Sequence, residues 1–285
     1  MSSTTAVSIG RQVVPALAIV GILCLLPRYA FAADLSQDAY DAPSPETVNP
    51  TRFGRFKDRL HQWNVVVGGG AFYAPKFEGS DEFEVQPFPM FSATFGEAVT
   101  IDPGGLSVDV YKYQNFTLSA NVGYDPGRDE DDSDHLDGLG NIGAGAVVGA
   151  KLAYALGPVE LYTSLDRTIG GSDGLVGVVG ANVSHQYNKF QFSAGASATW
   201  GDDNHMESYF GVTSAQSARS GLAAYDVGAG FKRVDFEASV TYMATENWLI
   251  RGQAGVGVLV GDAADSPIVQ DEVQPSVGLM VGYKF

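Results

Sequence analysis

The sequence predicts an all-β fold, a transmembrane antiparallel up-and-down β-barrel of about 12–14 strands. Three observations predict it: an export signal at the N-terminus, two-residue alternation of apolar and polar residues, and aromatic residues at both ends of the apolar faces. A closed barrel satisfies its backbone hydrogen bonds within the sheet, so it can cross a bilayer with strands alone.

The chain begins with a predicted signal peptide over residues 1–32. Arg11 precedes an apolar run over residues 13–26, and residues 30–32 (Ala-Phe-Ala) have the small-x-small pattern of a cleavage site. The run is shorter than the roughly 20 residues of a spanning helix, which favours a cleaved signal over an anchor. The residues before Cys24 lack the pattern of a lipoprotein signal.

Cysteine and charge content exclude several classes of protein. The single cysteine, Cys24, lies in the signal, so the mature chain has no disulfide, no cysteine nucleophile and no cysteine-ligated metal. The chain has 33 acidic residues against 17 basic ones, and two of the basic residues lie in the signal. This acidic balance argues against nucleic-acid binding, which needs a basic surface, and against docking on an anionic membrane surface.

Residues 33–62 contain many Asp, Ser and Pro residues without periodicity, which predicts a flexible lead-in before a barrel over residues 63–285. The predicted strands begin near residues 63, 83, 97, 104, 115, 141, 158, 174, 190, 207, 222, 235, 248 and 273. This series gives about 14 strands, an even number as bacterial barrels require. If residues 99–109 do not form a spanning hairpin, the number falls to about 12.

Alternation carries the strand assignment. From Phe190 to Trp200 every even position is apolar and every odd position is polar or glycine, and residues 116–124 and 236–242 repeat the pattern. A soluble sandwich also alternates. The aromatic ends of the apolar faces favour a membrane barrel, where aromatic girdles lie at the two interfaces.

The connections predict the orientation. Residues 156–158, 187–190 and 245–248 are short turns, whereas longer polar links cover residues 125–141, 201–205 and 262–272. Outer-membrane barrels have short periplasmic turns and long external loops. We therefore predict a monomeric barrel in the Gram-negative outer membrane, in contact with its lipids and lipopolysaccharide, with both termini periplasmic.

An outer-membrane hydrolase is the enzymatic alternative, and it needs a nucleophile, a base and an orienting group close together. The mature chain has four histidines, His61, His135, His185 and His205. His205, near Ser208, is the best candidate, but a solvated loop histidine is the simpler interpretation. We assign no catalytic residue and predict that the protein is not an enzyme.

The acidic stretch over residues 125–135 offers carboxylates to a divalent cation but lacks EF-hand spacing, so a solvated external loop is the favoured interpretation. The three glycines at 68–70 lack the lysine and the strand-to-helix context of a phosphate loop, and they suit crowded backbone in a barrel. We assign no metal or cofactor residues. Small inward residues leave open whether the lumen is a channel or is filled.

Several motifs carry a family resemblance: residues 68–75, 78–81, 128–140, 209–230 and 259–269, and the terminal Tyr283-Lys284-Phe285. Over roughly residues 65–285 the sequence resembles the MipA/OmpV family of outer-membrane proteins, the MltA-interacting proteins. The resemblance implies an outer-membrane barrel. For some relatives it also implies a scaffold that joins a lytic murein transglycosylase to a penicillin-binding murein synthase, while others are linked to adhesion, osmotic response or antibiotic entry.

The first hypothesis is therefore a non-enzymatic scaffold for peptidoglycan enzymes at the cell envelope. The alternative is a passive pore, in which an acidic lumen would favour small cations. A lipid hydrolase built on His205 and Ser208 is the third hypothesis.

Overall fold

The computed structural model describes residues 63–285 except Glu97, and this part of the chain forms a closed antiparallel barrel. The predicted signal peptide, the lead-in and His61 lie outside the described residues. Each strand pairs with its neighbours in chain order, and the last strand pairs with the first. The strands are β1 (Trp63–Pro75), β2 (Phe83–Phe95), β3 (Val99–Asp102), β4 (Gly105–Tyr113), β5 (Phe116–Asp125), β6 (Gly145–Leu156), β7 (Val159–Ile169), β8 (Leu175–Tyr187), β9 (Phe190–Gly201), β10 (Gly230–Met243), β11 (Trp248–Leu259) and β12 (Val273–Lys284).

The predicted alternation is confirmed. In β9, Phe190 and Phe192 are 40% and 44% exposed on the outer face, whereas Ser197 is buried on the inner face. Successive side chains of a strand point to opposite sides of the sheet, so the apolar series faces outward and the polar series faces the lumen. The outward face is the one that a lipid environment covers.

The predicted strand number falls to the lower end of its range, but not for the expected reason. The segments near residues 207 and 222 are not strands in the structure. They belong to a long connection, residues 202–229, that contains helix α1 (Asp203–Phe210) and helix α2 (Ser214–Ser220). Asp202 caps α1 by accepting a hydrogen bond from the backbone N–H of His205 (3.0 Å), and such capping fixes a helix start. Neither helix in the described part of the chain is long and apolar enough to span a membrane.

The hairpin at residues 99–109 is present but does not span. β3 has four residues and pairs with β2 only at residues 93–95. β2 pairs with β1 over its whole length of 13 residues, from Phe83 to Phe95. Within residues 63–285, leaving out Glu97, no strand pairs with residues 83–92 of β2 on the side away from β1.

The two ends of the barrel differ, as the sequence predicts. One end, here the turn end, has the connections at residues 114–115, 157–158, 188–189 and 244–247, and the chain terminates there with the N–H of Phe285 donating to the carbonyl of Val65 (2.9 Å). The other end, here the loop end, has connections at residues 76–82, 126–144, 170–174, 202–229 and 260–272. Exposed aromatic residues lie near both, such as Trp248 at the turn end and Tyr124 at the loop end.

The glycines in the middle of β1, residues 68–70, serve the closure of the barrel. A Cβ atom at Gly68 or Gly70 would collide with the carbonyl oxygens of Val281 or Leu279 on β12. Glycine therefore permits the close approach of the first and last strands, in agreement with the structural role expected of residues 68–70.

Candidate functional site

The loop end of the barrel is covered by a packed assembly, here called the loop cap, formed by residues 76–82, 126–144, 202–229 and 260–272. One apolar cluster of the cap joins four connections, and it consists of Phe77, Leu136, Leu139, Val212 and Ile268. Leu136 and Ile268 are fully buried. Burial of each such side chain contributes about 1.5–3 kcal/mol to folding. The four connections therefore stabilise one another through this cluster.

A second apolar cluster fixes helix α1 over the barrel mouth. Met206 and Phe210 of α1 are fully buried against Val227, Leu259 and Ala263. These two residues lie four positions apart, on one face of a helix. The segment read as a strand from its apolar residues is thus a short amphipathic helix that closes the loop end.

A buried group of charges ties the cap to the wall. The Glu78 carboxylate contacts the Lys232 ammonium (2.8 Å) and the Arg233 guanidinium (3.6 Å), and Arg233 also contacts Asp235. Burial alone would raise the pKa of Glu78, but the attraction of Lys232 and Arg233 outweighs it and lowers this pKa from 4.5 to about 2. Glu78 is therefore ionised at neutral pH.

The sequence places both cations on the same side of β10 through an irregularity. The pairing of β10 with β9 shifts register between Phe231 and Arg233. Such a β-bulge adds an unpaired residue, so Lys232 and Arg233, although adjacent, both reach the lumen and Glu78. Sequence reasoning missed this group. The signal available to it was the pair of consecutive basic residues in a strand that otherwise alternates.

A cavity of about 280 Å³ lies beneath the cap. Asp125 accepts a hydrogen bond from the Tyr209 hydroxyl (3.2 Å), and Asp166 accepts one from the Asn121 amide (2.5 Å). Arg128, which is 9% exposed, donates to the backbone carbonyl of Tyr209 (2.9 Å), and burial lowers its pKa. The cavity wall thus combines charges of both signs with aromatic and aliphatic surface from the cap and the strands.

The expectation that His205 is a solvated loop residue is wrong. His205 lies on α1, is 6% exposed and packs its ring against Tyr209 with centroids 4.7 Å apart. It lines the cavity, whereas Ser208 does not. Helix α1 buries His205 together with its neighbour Met206, which packs into the cap. The polar composition of the segment does not reveal this burial.

The other two described histidines have different surroundings. His135 stacks on Phe77 with ring centroids 6.4 Å apart, and its Nε2 lies 3.2 Å from the carbonyl oxygen of Pro267. His185 is exposed near the turn end of β8, on the outward face that the alternation predicts. The structure therefore separates the three described histidines and forms no common centre from them.

The acidic stretch at residues 125–135 organises its own loop. Glu130 accepts hydrogen bonds from the backbone N–H groups of Gly138 and Gly140 (both 2.9 Å), and Asp132 accepts one from Asp129 (3.2 Å). Within residues 63–285, Glu97 excepted, no group of three or more His, Cys, Asp or Glu side chains has the arrangement to hold a metal ion. The stretch is more than a solvated loop, because Leu136 beside it anchors the cap.

Two curated relatives match part of the chain. Each is called MltA-interacting protein, one from Escherichia coli (strain K12) and one from Shigella flexneri, and each is 27% identical over 118 residues. The match covers 41% of this chain and 47% of each relative, so it spans about half the length of the curated relatives.

Solved outer-membrane barrels are also similar in fold. The NanC porin aligns over 78% of this chain and 100% of its own, at 11% identity and a TM-score of 0.42. The outer-membrane protein OmpT of Vibrio cholerae aligns over 78% of this chain and 98% of its own, at 6% identity and a TM-score of 0.37. A family model described as MltA-interacting protein MipA matches residues 67–285, nearly the whole described barrel. On this match, the chain belongs to the MipA family.

Proposed function

We propose that this protein is a non-enzymatic outer-membrane scaffold that holds a murein transglycosylase of the MltA kind, together with a murein synthase, at the cell envelope. The family match over residues 67–285 carries this proposal, since the curated relatives are named for their interaction with MltA. In this arrangement the turn end and the lead-in, residues 33–62, face the periplasm.

The packing of the two ends supports a scaffold. The loop cap covers the mouth at the loop end with two apolar clusters, which disfavours passage of solutes. The turn end offers only short connections, such as residues 188–189 and 244–247. The lead-in, residues 33–62, is longer than any of these connections, and we assign most of the docking to it.

Crosslinking in intact envelopes tests the proposal. The mature chain and a variant without residues 33–62 are purified after crosslinking, and the bound proteins are identified by mass spectrometry. We expect a murein transglycosylase and a synthase with the whole chain and loss of both with the shortened one. Repeated absence of both enzymes from the whole chain, with folded barrel recovered, contradicts the scaffold.

A cation-favouring pore is the second candidate, because acidic groups such as Asp125 and Asp166 line the cavity within the barrel. Planar-bilayer recordings distinguish it from the scaffold. A steady, cation-selective conductance of the mature chain supports the pore, and a folded but silent barrel excludes it. For the hydrolase, unchanged lipid hydrolysis after combined His205→Ala and Ser208→Ala substitution excludes that pair.

A further inference from the structure

The wall of the barrel is interrupted on its loop-end half, beside β2. The N–H of Lys76 donates to the carbonyl of Glu82 (3.0 Å), which sets the pairing of β1 with β2 so that even-numbered residues of β2 bond to β1. The odd-numbered residues from Val85 to Phe91 therefore direct their backbone groups to the opposite side. There β3 reaches β2 only at residues 93–95, so within the described residues this edge has no strand partner.

Two prolines occupy this edge. Pro87 and Pro89 are odd-numbered residues of β2, so their nitrogen atoms face the interruption, and proline has no N–H to leave unsatisfied there. Proline is found in sheets at such edges, where it also blocks pairing with another strand. The prolines thus lower the number of unpaired N–H groups at an edge where no water replaces the hydrogen bonds of a neighbouring strand. They also disfavour the pairing of an added strand with this edge.

The interruption has a defined frame, here called the lateral window. The hairpin tip at residues 102–105 forms its border on the turn-end side. This tip is in close contact with β5, since a Cβ at Gly105 would collide with the carbonyl oxygen of Val122. Residues 85–91 of β2 and 122–125 of β5 form the sides. The cap forms the border on the loop-end side, where His135 stacks on Phe77.

The cavity beneath the cap reaches this window. Ser107 and Asn121 line it from the inner face, and Leu106 lines it as well, although Leu106 pairs with Val122 on the outer face and is 38% exposed. The cavity therefore reaches the hairpin that borders the window. Outside, the rim is apolar, with Val85, Val122 and Tyr124 all exposed.

The charges of the cavity select the kind of molecule that fits. Lys232 and Lys151 are in salt bridges with Glu78 and Glu160 (both 2.8 Å). By contrast, the hydrogen bonds of Asp166 come from the neutral Asn121 and Ser164, and Arg128 donates to a neutral carbonyl. A group that carries both a cation and an anion complements this wall.

We propose that the lateral window admits a single-chain zwitterionic amphiphile from the membrane leaflet at the loop end. Its head group lies in the cavity between Arg128 and Asp166, and its hydrocarbon chain remains in the leaflet, between β2 and β5. This site does not depend on the scaffold function, because it lies in the loop-end half of the wall and the murein enzymes are proposed to bind the turn end.

Photolabelling of the mature chain in lipid bilayers tests the site. The probe is a single-chain phosphocholine with a diazirine near its head group, and the labelled peptides are mapped by mass spectrometry. We expect labels concentrated in residues 102–107 and 120–128. Gly104→Trp, at the tip, should lower this labelling about tenfold. Gly252→Trp on β11 is the control and should leave the labelling unchanged: a Cβ there meets nothing within 4 Å, and one at Gly104 meets only the Oδ1 atom of Asp102, at 3.0 Å.

Four outcomes overturn the proposal. They are labels spread evenly around the outer face, labelling unaffected by Gly104→Trp, equal labelling by a maltoside probe with the same chain, and complete competition by chain-free glycerophosphocholine, which would indicate entry from water. Should Gly104→Trp not fold, Leu106→Trp replaces it. Its control is Leu118→Trp, since Leu106 and Leu118 are both 38% exposed on the outer face.

Discussion

At the scale of single residues, the cap contains a buried carboxylate, Glu78, whose partners the sequence pattern does not reveal. Glu78 sits in a short connection, 154 residues before Lys232, yet the two side chains meet at 2.8 Å. Removing one partner of a buried ion pair leaves an uncompensated charge, which costs far more than loss of an exposed pair. The cap is therefore sensitive to the removal of either partner.

Glu78→Gln should destabilise the docked cap by roughly 3–5 kcal/mol, because Lys232 and Arg233 stay buried without its charge. The measurement is the rate of limited proteolysis within the cap of the bilayer-inserted protein, together with its thermal transition. Glu82→Gln is the control. Its partner Lys76 lies at 2.6 Å, but the two side chains are 54% and 32% exposed, and such pairs contribute about 0–1 kcal/mol. Equal effects of the two substitutions would contradict this account.

The same carboxylate predicts a pH dependence of the cap. The pKa of Glu78 is lowered from 4.5 to about 2, so its stabilisation is complete above pH 4.5 and is lost as the pH falls through 2. Proteolytic sensitivity measured with an acid-stable protease should rise across that interval. In Glu78→Gln the rise should be absent, and a persistent rise would assign the effect to another group.

At the scale of elements, the connection over residues 202–229 contains helices where the local sequence predicts strands, because packing decides its secondary structure. Tyr209, Phe210 and Val212 suggest a strand, yet Phe210 is buried on a helix and Val212 forms an isolated bridge with Tyr225. A signal for helix was available at Thr213 and Gln216, which form a capping box, with Gly221 (φ 79°) at the end of α2. Short apolar runs leave strand and helix undecided until their burial is known.

Phe210→Ala should open the cap without disturbing the barrel, since loss of a fully buried phenylalanine costs about 3–5 kcal/mol. Hydrogen exchange should accelerate in residues 202–229 and remain slow in β8 and β9. Glu207→Ala, on the exposed side of the same helix, is the control and should shift stability by no more than about 0.5 kcal/mol. Faster exchange throughout the barrel strands would show that cap and wall unfold together.

At the scale of the whole molecule, closure of the sheet pairs the backbone groups of neighbouring strands with one another. The outward surface can therefore be apolar and face lipid. Within residues 63–285, Glu97 excepted, each strand pairs with two others, but residues 83–92 of β2 pair only with β1, and the two prolines lie in that stretch. The difference between the two ends follows from the lengths of the connections. It leaves the cap on one side of the membrane and the chain terminus on the other.

Cysteine labelling in intact cells tests this orientation. The single cysteine of the chain lies in the predicted signal, so introduced cysteines have no background. Asp131→Cys in the cap should react with a membrane-impermeant maleimide, whereas Lys189→Cys at the turn end should react only after the outer membrane is opened. Labelling of Lys189→Cys in sealed cells would reverse the proposed orientation.

The sequence by itself determined the barrel, because a period of two assigns each side chain to lipid or lumen without knowledge of distant contacts. It also determined the family and the contrast between short and long connections. Only the tertiary structure decided the closure of the loop end, the burial of His205, the meeting of Glu78 with Lys232 and the short β3. These depend on contacts between residues far apart in the chain and on a bulge that alternation does not encode.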